Sequence, residues 1–276
     1  MNPKFADLHL HTHFSDGTYS PQELILQALK KGLSAISVVD HDTVGGIQPA
    51  IDIGKFNGIE VLPGIELTAE YEGTEIHILG YLLDYQDSRL IEKLNTLKEN
   101  RVERIYKITE KLNGLGIKLN PDAVFSMAAK GIVGRLHVAR AMVKEGFVGS
   151  TFEAFKKYIG DTCPAYISGF KFTPDEALSL IKNTGGIPVL AHPYIIKNDE
   201  LILRFIDAGL LGIEAYYPEH TQSMVNFYLD FAKKHNLLVT GGSDCHGDAK
   251  PEAKIGSIKI PYALVEELKK AKERLS

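Results

Sequence analysis

Apolar residues along this chain follow two alternating rhythms. The stretches KFADLHL, SAISVVD and IEVLPGIEL are dense in apolar and β-branched residues and read as short buried strands. Between them, SPQELILQALKKG and GGIQPAIDIGKFNG carry apolar residues at helical spacing. Ser20, Pro21 and Glu23 form a helix-start signature, and Gly32 marks the stop. The second helix is expected despite Pro49. Strand, helix, strand, helix, strand is the pattern of parallel βα units.

The rhythm then changes. TEIHILGYLL reads as a further strand, and a long helix is expected over roughly residues 88–113. Leu90, Leu94, Leu97, Ile105, Ile108 and Leu112 form its apolar stripe, and Gly114 and Gly116 stop it. NPDAVFSMAAKG and GRLHVARAMVKEG read as two shorter helices. Residues 84–170 are therefore expected to be a mostly helical insertion into a β-rich unit made of residues 1–83 and 171–276. From TPDEALSLIKNTG onward the alternation resumes, with strands in GIPVLAH, LLGIEAYY, NLLVTGGSDCH and KIGSIKI before a final helix. Six or seven parallel strands, most followed by a helix, fit an α/β barrel better than an open sheet.

Composition adds boundaries. The 276 residues suit one large domain or a domain with an insertion, and 44% hydrophobic content supports a sizeable core. A net charge of −4 argues against a protein that coats nucleic acid or a membrane surface, while leaving room for a local basic patch. Cys163 and Cys245 offer no disulfide framework, no apolar run is long enough to span a bilayer, and the N-terminus lacks a basic-then-apolar leader profile. A cytoplasmic protein with no obligatory protein partner is expected.

The candidate chemistry sits at strand ends. The first strand ends in His9 and His11, His41 lies in DHD at the end of the second, and Glu66 ends the third. The next strand carries His77, and later strands end in His192 and in Asp244 with His246. The C-terminal rim is where parallel barrels build active sites. Alternation along a strand puts His9 and His11 on one face and Leu8 and Leu10 on the other; Asp244 and His246 flank Cys245 in the same way. An isolated H-x-H or DHD is weak evidence, because each has a bland reading as a turn or a packed histidine. Their recurrence at successive strand ends points instead to a polynuclear metal site. Imidazole and carboxylate donors without thiolate suit manganese, iron or zinc in a catalytic role.

The segments DLHLHTHFSDGTYSP, VVDHDTVGG, PGIELT, IHILGY, AHP and GSDCHG together resemble the PHP (polymerase and histidinol phosphatase) superfamily of metal-dependent phosphoesterases. That resemblance implies a distorted (βα)7, TIM-like barrel holding two or three divalent metals. It implies His9, His11, Glu66 and Asp244 around one metal, and Asp16, His41 and His246 around a second. Glu66 would bridge to a third position formed with His77 and His192. His13 matches no ligand position. The chemistry expected there is attack on phosphorus by a hydroxide made available near neutral pH. Glu66 and Asp244 would belong to the catalytic machinery, and His192 would serve as proton donor if the third position is empty.

NRVERI and GRLHVARAMV further resemble the subgroup acting on nucleoside 3′,5′-bisphosphates and short 5′-phosphorylated RNA. Arg101 and Arg104 fall on or beside the inward stripe of the long helix, and Arg135 and His137 fall at a helix start. A buried guanidinium needs an anionic partner, so these four residues are candidates for holding a second substrate phosphate. The competing expectation is a structural ion pair with Glu99, Glu103 or a barrel acid. The alternatives in function are a phosphatase on another small ester, such as histidinol phosphate, and a metal-stabilised module without activity.

Overall fold

The computed structural model describes residues 3–128, 131–168, 172–196 and 198–275. Helix starts follow the local signals. In α1 (Pro21–Lys30) the Ser20 hydroxyl accepts from the Glu23 N–H, and the Glu23 carboxylate accepts from the Ser20 N–H at 2.8 Å. Thr173 and Glu176 repeat this arrangement ahead of α7 (Pro174–Asn183). Pro49 is tolerated in α2 (Ile47–Asn57) because it lies in the first turn, where no intrahelical N–H bond is lost. The long helix α3 runs Ser88–Gly114, followed by α4 (Pro121–Ala128), α5 (Arg135–Lys144) and α6 (Thr151–Ala154). After α7 come α8 (Asp199–Asp207), α9 (Gln222–His235) and α10 (Tyr262–Leu275).

The strands are β1 (Phe5–Leu10), β2 (Ala35–Val38), β3 (Glu60–Tyr71), β4 (Thr74–Tyr81), β5 (Ile187–Leu190), β6 (Gly212–Tyr216), β7 (Leu238–Gly241) and β8 (Ile260–Pro261). They form one sheet in the order β7-β6-β5-β4-β3-β2-β1-β8. The sheet curls into a nearly closed, distorted barrel. The chain just beyond β7 returns alongside β1, where the His11 N–H donates to the Cys245 carbonyl at 3.0 Å. Asp7 on β1 tightens the seam by accepting from the Ser243 N–H, the Ser243 hydroxyl and the Gly256 N–H. Inside, the Tyr81 hydroxyl crosses from β4 to the Leu8 carbonyl of β1 at 2.9 Å. The end of the barrel opposite the histidines is thus filled by side chains.

Two expectations about the strands need correction. The barrel is not all parallel: β4 runs antiparallel to both β3 and β5. A tight turn at Glu72 and Gly73, both at positive φ, joins β3 directly to β4 with no helix between. KIGSIKI supplies only Ile260 to the two-residue β8, which is antiparallel to β1.

The helices pack in two groups. Leu90, Leu94 and Leu97 of α3 join the core shared by β3, β4, α7, α8 and α9. Ile105, Ile108 and Leu112, farther along the same helix, pack with α4, α5 and residues 148–165 in a separate core. Among the described residues, no helix is long and apolar enough to cross a membrane.

The seam generates a stability prediction. A Cβ on Gly242 would lie 2.3 Å from the His9 backbone nitrogen, whereas one on Gly114 would meet nothing within 4 Å. Gly242→Ala should therefore cost about 1–3 kcal/mol, seen as a Tm lower by several degrees, with metal uptake impaired as His9 shifts. Gly114→Ala should be neutral or slightly stabilising. Equal melting of the two variants would contradict this account of closure.

Candidate metal centre

Glu66, 1% exposed, is the meeting point of the barrel rim. Its Oε2 lies 3.2 Å from His9 Nε2, 3.1 Å from His11 Nε2 and 3.4 Å from His41 Nδ1. Its Oε1 lies 2.8 Å from His77 Nδ1 and 3.2 Å from His192 Nε2. Asp244 Oδ1 stands 3.4 Å from His9 Nε2 and 3.2 Å from His11 Nε2, while Asp16 Oδ1 stands 3.3 Å from His246 Nε2. His77 reaches the rim because β4 is reversed: the beginning of β4 lies beside the end of β3.

Three sets of donor atoms have the spacing to hold an ion: His9, His11, Glu66 and Asp244; His11, Asp16, His41 and His246; and His41, Glu66 and His77. The first two gather the residues expected together, with His11 common to both. The third contains His41, and His192 stands outside it while still approaching Glu66. His13 is exposed, against Phe14.

The donor chemistry fits metal ions. Both ring nitrogens of His11, Asp16 Oδ1, His41 Nδ1 and His77 Nδ1 are buried without a hydrogen-bond partner. Such orphaned groups are costly unless something satisfies them, and divalent cations in the neighbouring donor sets would engage them. Electrostatics point the same way. Burial works against charge on every group, yet Asp244 and Glu66 raise the His11 pKa to about 9, and Glu66 and Glu75 raise that of His77 to about 10. Against the same burial, His41 and His9 hold the Glu66 carboxyl well below its usual range, and His246 and His41 do so for Asp16. This is a centre that demands positive charge.

Several contributors were not expected. Glu214, in the middle of β6 and fully buried, accepts from His9 Nδ1 at 2.9 Å and from the His192 backbone N–H at 2.9 Å. It thereby turns His9 Nε2 towards Glu66. Tyr217 and Lys250 donate to Asp244 Oδ2 at 2.7 and 2.6 Å, leaving Oδ1 facing the histidines. Asp40, the first acid of DHD, accepts from the Thr12 N–H and from the Thr12 and Ser15 hydroxyls, shaping the loop that carries His11 and Asp16. An acid inside the apolar run GIEAY was the available clue for Glu214.

The four residues expected to hold a second phosphate have partners inside the protein. Arg101 binds Asp42 and the Thr68 hydroxyl at 2.7 Å each. Arg104 donates to Glu75 at 2.9 Å and to the Ile167 carbonyl. Arg135 pairs with Glu75 at 2.9 Å and with Asp161 at 2.5 Å. His137 is buried and accepts from the Gly134 N–H, and burial is the first cause of its pKa falling to about 4. Asp42 and Glu75 are barrel acids, one of the kinds of partner expected for these guanidinium groups. Glu75 also binds His77 Nε2 at 3.1 Å, so the arginines of the helical block fix a rim histidine through one carboxylate.

The rim opens into a cavity of about 530 Å³, within the range of small-molecule sites. Asp16, His41, Glu66, His77, His192, Asp244 and His246 line its floor. Leu136, Phe152 and Phe155 of the helical block, with Tyr194, Tyr217 and Lys250, line its walls.

A family model of the PHP domain matches residues 7–158. The chain is 34% identical over 251 residues to a 5′-3′ exoribonuclease of Haemophilus influenzae, covering 89% of this chain and 91% of that one. It is 30% identical over 256 residues to a 3′,5′-nucleoside bisphosphate phosphatase of Chromobacterium violaceum, covering 91% and 90%. A solved structure from Bifidobacterium adolescentis, assigned as a metal-dependent phosphoesterase, superposes with a TM-score of 0.88 at 30% identity, covering 97% and 96%.

Three outcomes are expected. Glu66 belongs to two of the three donor sets and Asp244 to one, so Glu66→Ala should lose more metal per chain by elemental analysis than Asp244→Ala; equal or milder loss would rule out a shared carboxylate. Glu214→Gln should weaken metal affinity about 10- to 100-fold through misorientation of His9. Metal needs neutral imidazole, whereas His11 and His77 keep protons up to about pH 9 and 10 in the metal-free protein. Manganese added at pH 7 should therefore release protons, and apparent affinity should rise with pH towards those values; uptake without proton release would refute this ionisation state.

Proposed function

The chain belongs to the PHP domain family of metal-dependent phosphoesterases, and from that premise we propose that it removes the 3′-phosphate of nucleoside 3′,5′-bisphosphates and trims short 5′-phosphorylated RNA from its 5′ end. The observation that carries the reading is the set of buried donor atoms without hydrogen-bond partners at and beneath the floor of a cavity of about 530 Å³. The two nucleotide-directed relatives, each aligned over most of its length, supply the substrate class. We take the ions to be two or three in number and manganese foremost, with zinc or iron as alternatives, since all donors are imidazole or carboxylate. A cytoplasmic setting suits such substrates.

Bound ions would supply Lewis-acid chemistry, lowering the pKa of water and neutralising phosphoryl oxygens. The protein does the rest. His9, His11, Glu66 and Asp244 would hold one position and Asp16, His41 and His246 the neighbouring one. Glu214 and Glu75 keep His9 and His77 turned inward. Lys250 faces the cavity beside Asp244 and lends a positive charge where phosphoryl oxygens would gather. His192 lines the same floor and would give a proton to the leaving oxygen where the third position is empty. Phe152, 73% exposed at the cavity mouth, offers a face for a nucleobase, with Phe155 behind it. The helical block, residues 84–170, thus serves as the substrate-facing part and the barrel as the metal-holding part.

The test is a substrate panel on manganese-reconstituted protein: adenosine 3′,5′-bisphosphate, 5′-phosphorylated short RNA, histidinol phosphate and glycerol phosphate. The nucleotides should have the highest kcat/KM, and chelator should abolish turnover. Preference for histidinol phosphate would replace the reading. Phe152→Ala should lower kcat/KM for the bisphosphate by about 1 kcal/mol, roughly fivefold more than for glycerol phosphate, which has no ring to stack.

A further inference from the structure

A second cavity, of about 420 Å³, lies next to the catalytic one. Thr151 lines both, and the loop after His246 divides them: Lys250 faces the catalytic side, whereas Asp248, Ala249 and Pro251 face the other. Helix α5 also spans the two, with Leu136 on the catalytic wall and Arg140, Val143 and Lys144 on the second. The arginines nearer the barrel all have acids. Arg140 does not: its partly buried side chain has no hydrogen bond or ion pair among the described residues, and neither does Lys144 one turn on. Four residues of helix separate the two cations by about 6 Å along one face. That spacing is of the order of the distance between successive phosphates in a nucleic-acid strand.

We propose that Arg140 and Lys144 form a subsite for the sugar–phosphate backbone of an oligonucleotide whose first internucleotide phosphodiester is at the metal centre. The inference rests on the nucleotide reading above and adds where the remainder of a strand lies. A chain of net charge −4 attracts nucleic acid poorly overall, so strand binding needs a local, unneutralised pair of cations. Arginine supplies paired, directional donors to phosphate, and lysine a more mobile point charge. Phe152 is adjacent to Thr151, at the border between the cavities, so a base can stack there while the next phosphates run along α5. Asp248, the acid on this wall, is exposed and pairs with neither cation. It limits the subsite to a strand rather than a compact, highly charged anion.

The experiment compares wild type, Arg140→Ala, Arg140→Lys and Arg140→Ala/Lys144→Ala as metal-loaded proteins. Substrates are a 5′-phosphorylated tetraribonucleotide and adenosine 3′,5′-bisphosphate. Binding is measured separately with a phosphorothioate-linked tetranucleotide at several salt concentrations. Arg140→Ala should lower kcat/KM for the tetranucleotide about tenfold more than for the bisphosphate. Arg140→Lys should recover part of that loss. The double variant should bind the strand more weakly, with the slope of log affinity against log salt flatter by about 0.7 per lost contact. Equal losses on both substrates would assign Arg140 to the mononucleotide or to the metal centre and overturn the subsite. Unchanged strand binding and salt slope in the double variant would overturn it as well. If wild type turns over neither nucleotide, the proposed function fails, and the binding arm still decides the subsite.

Discussion

One buried carboxylate organises this molecule. Glu66 faces five histidines drawn from β1, β4 and the segments just after β1, β2 and β5, at 2.8 to 3.4 Å. A single carboxylate so deeply buried is tolerable only with positive charge around it. Each histidine must therefore arrive from its own strand at the same height on the rim. Strand order, the seam between β1 and the chain beyond β7, and the reversal of β4 all serve that convergence. The family's metals are the natural partner of such a group, because protons on the histidines can neutralise the site only in part and leave several ring nitrogens unsatisfied.

Strain is concentrated around the same point. Asp42, His192 and Asp244 lie in the left-handed region with φ of 50°, 28° and 52°, where residues with a side chain are disfavoured. Each is held there by specific partners. Asp42 is gripped by Arg101 and the Thr68 N–H, the His192 N–H by Glu214, and Asp244 Oδ2 by Tyr217 and Lys250. The unfavourable backbone puts these side chains at the rim instead of continuing the strands. Buried acids, Glu214, Asp40 and Asp7, hold the loops in that shape.

The helical block is tied into this arrangement and does not merely cover it. Arg101 reaches Asp42, next to His41, and Arg104 and Arg135 meet at Glu75, two residues before His77. The helices of the block and the rim histidines are thus joined through buried ion pairs. Disturbing the block therefore disturbs the metal centre, whereas the walls of the cavity, Leu136, Phe152 and Phe155, remain open to variation in what they contact.

The sequence by itself determined a good deal here. Helix starts such as Ser20-Pro21-Glu23 are set by contacts within four residues, so they were legible directly. The stripe of α3 and the burial of Leu8 and Leu10 opposite His9 and His11 follow from backbone periodicity. Recurring histidines and acids at strand ends named the metal-capable residues. Tertiary structure alone decided what depends on residues far apart in the chain. Strand direction was one such matter: a run like TEIHILGYLL has the same pattern in either direction, and only the pairing of β4 with β3 and β5 reverses it. The arginines were another. Their inward placement was legible, but whether the anion would be a phosphate or Glu75 depends on a strand some 29 residues away along the chain. Glu214, 205 residues from the His9 it orients, shows the same reason: a side chain's partner is set by the fold's long-range geometry, which local pattern does not encode.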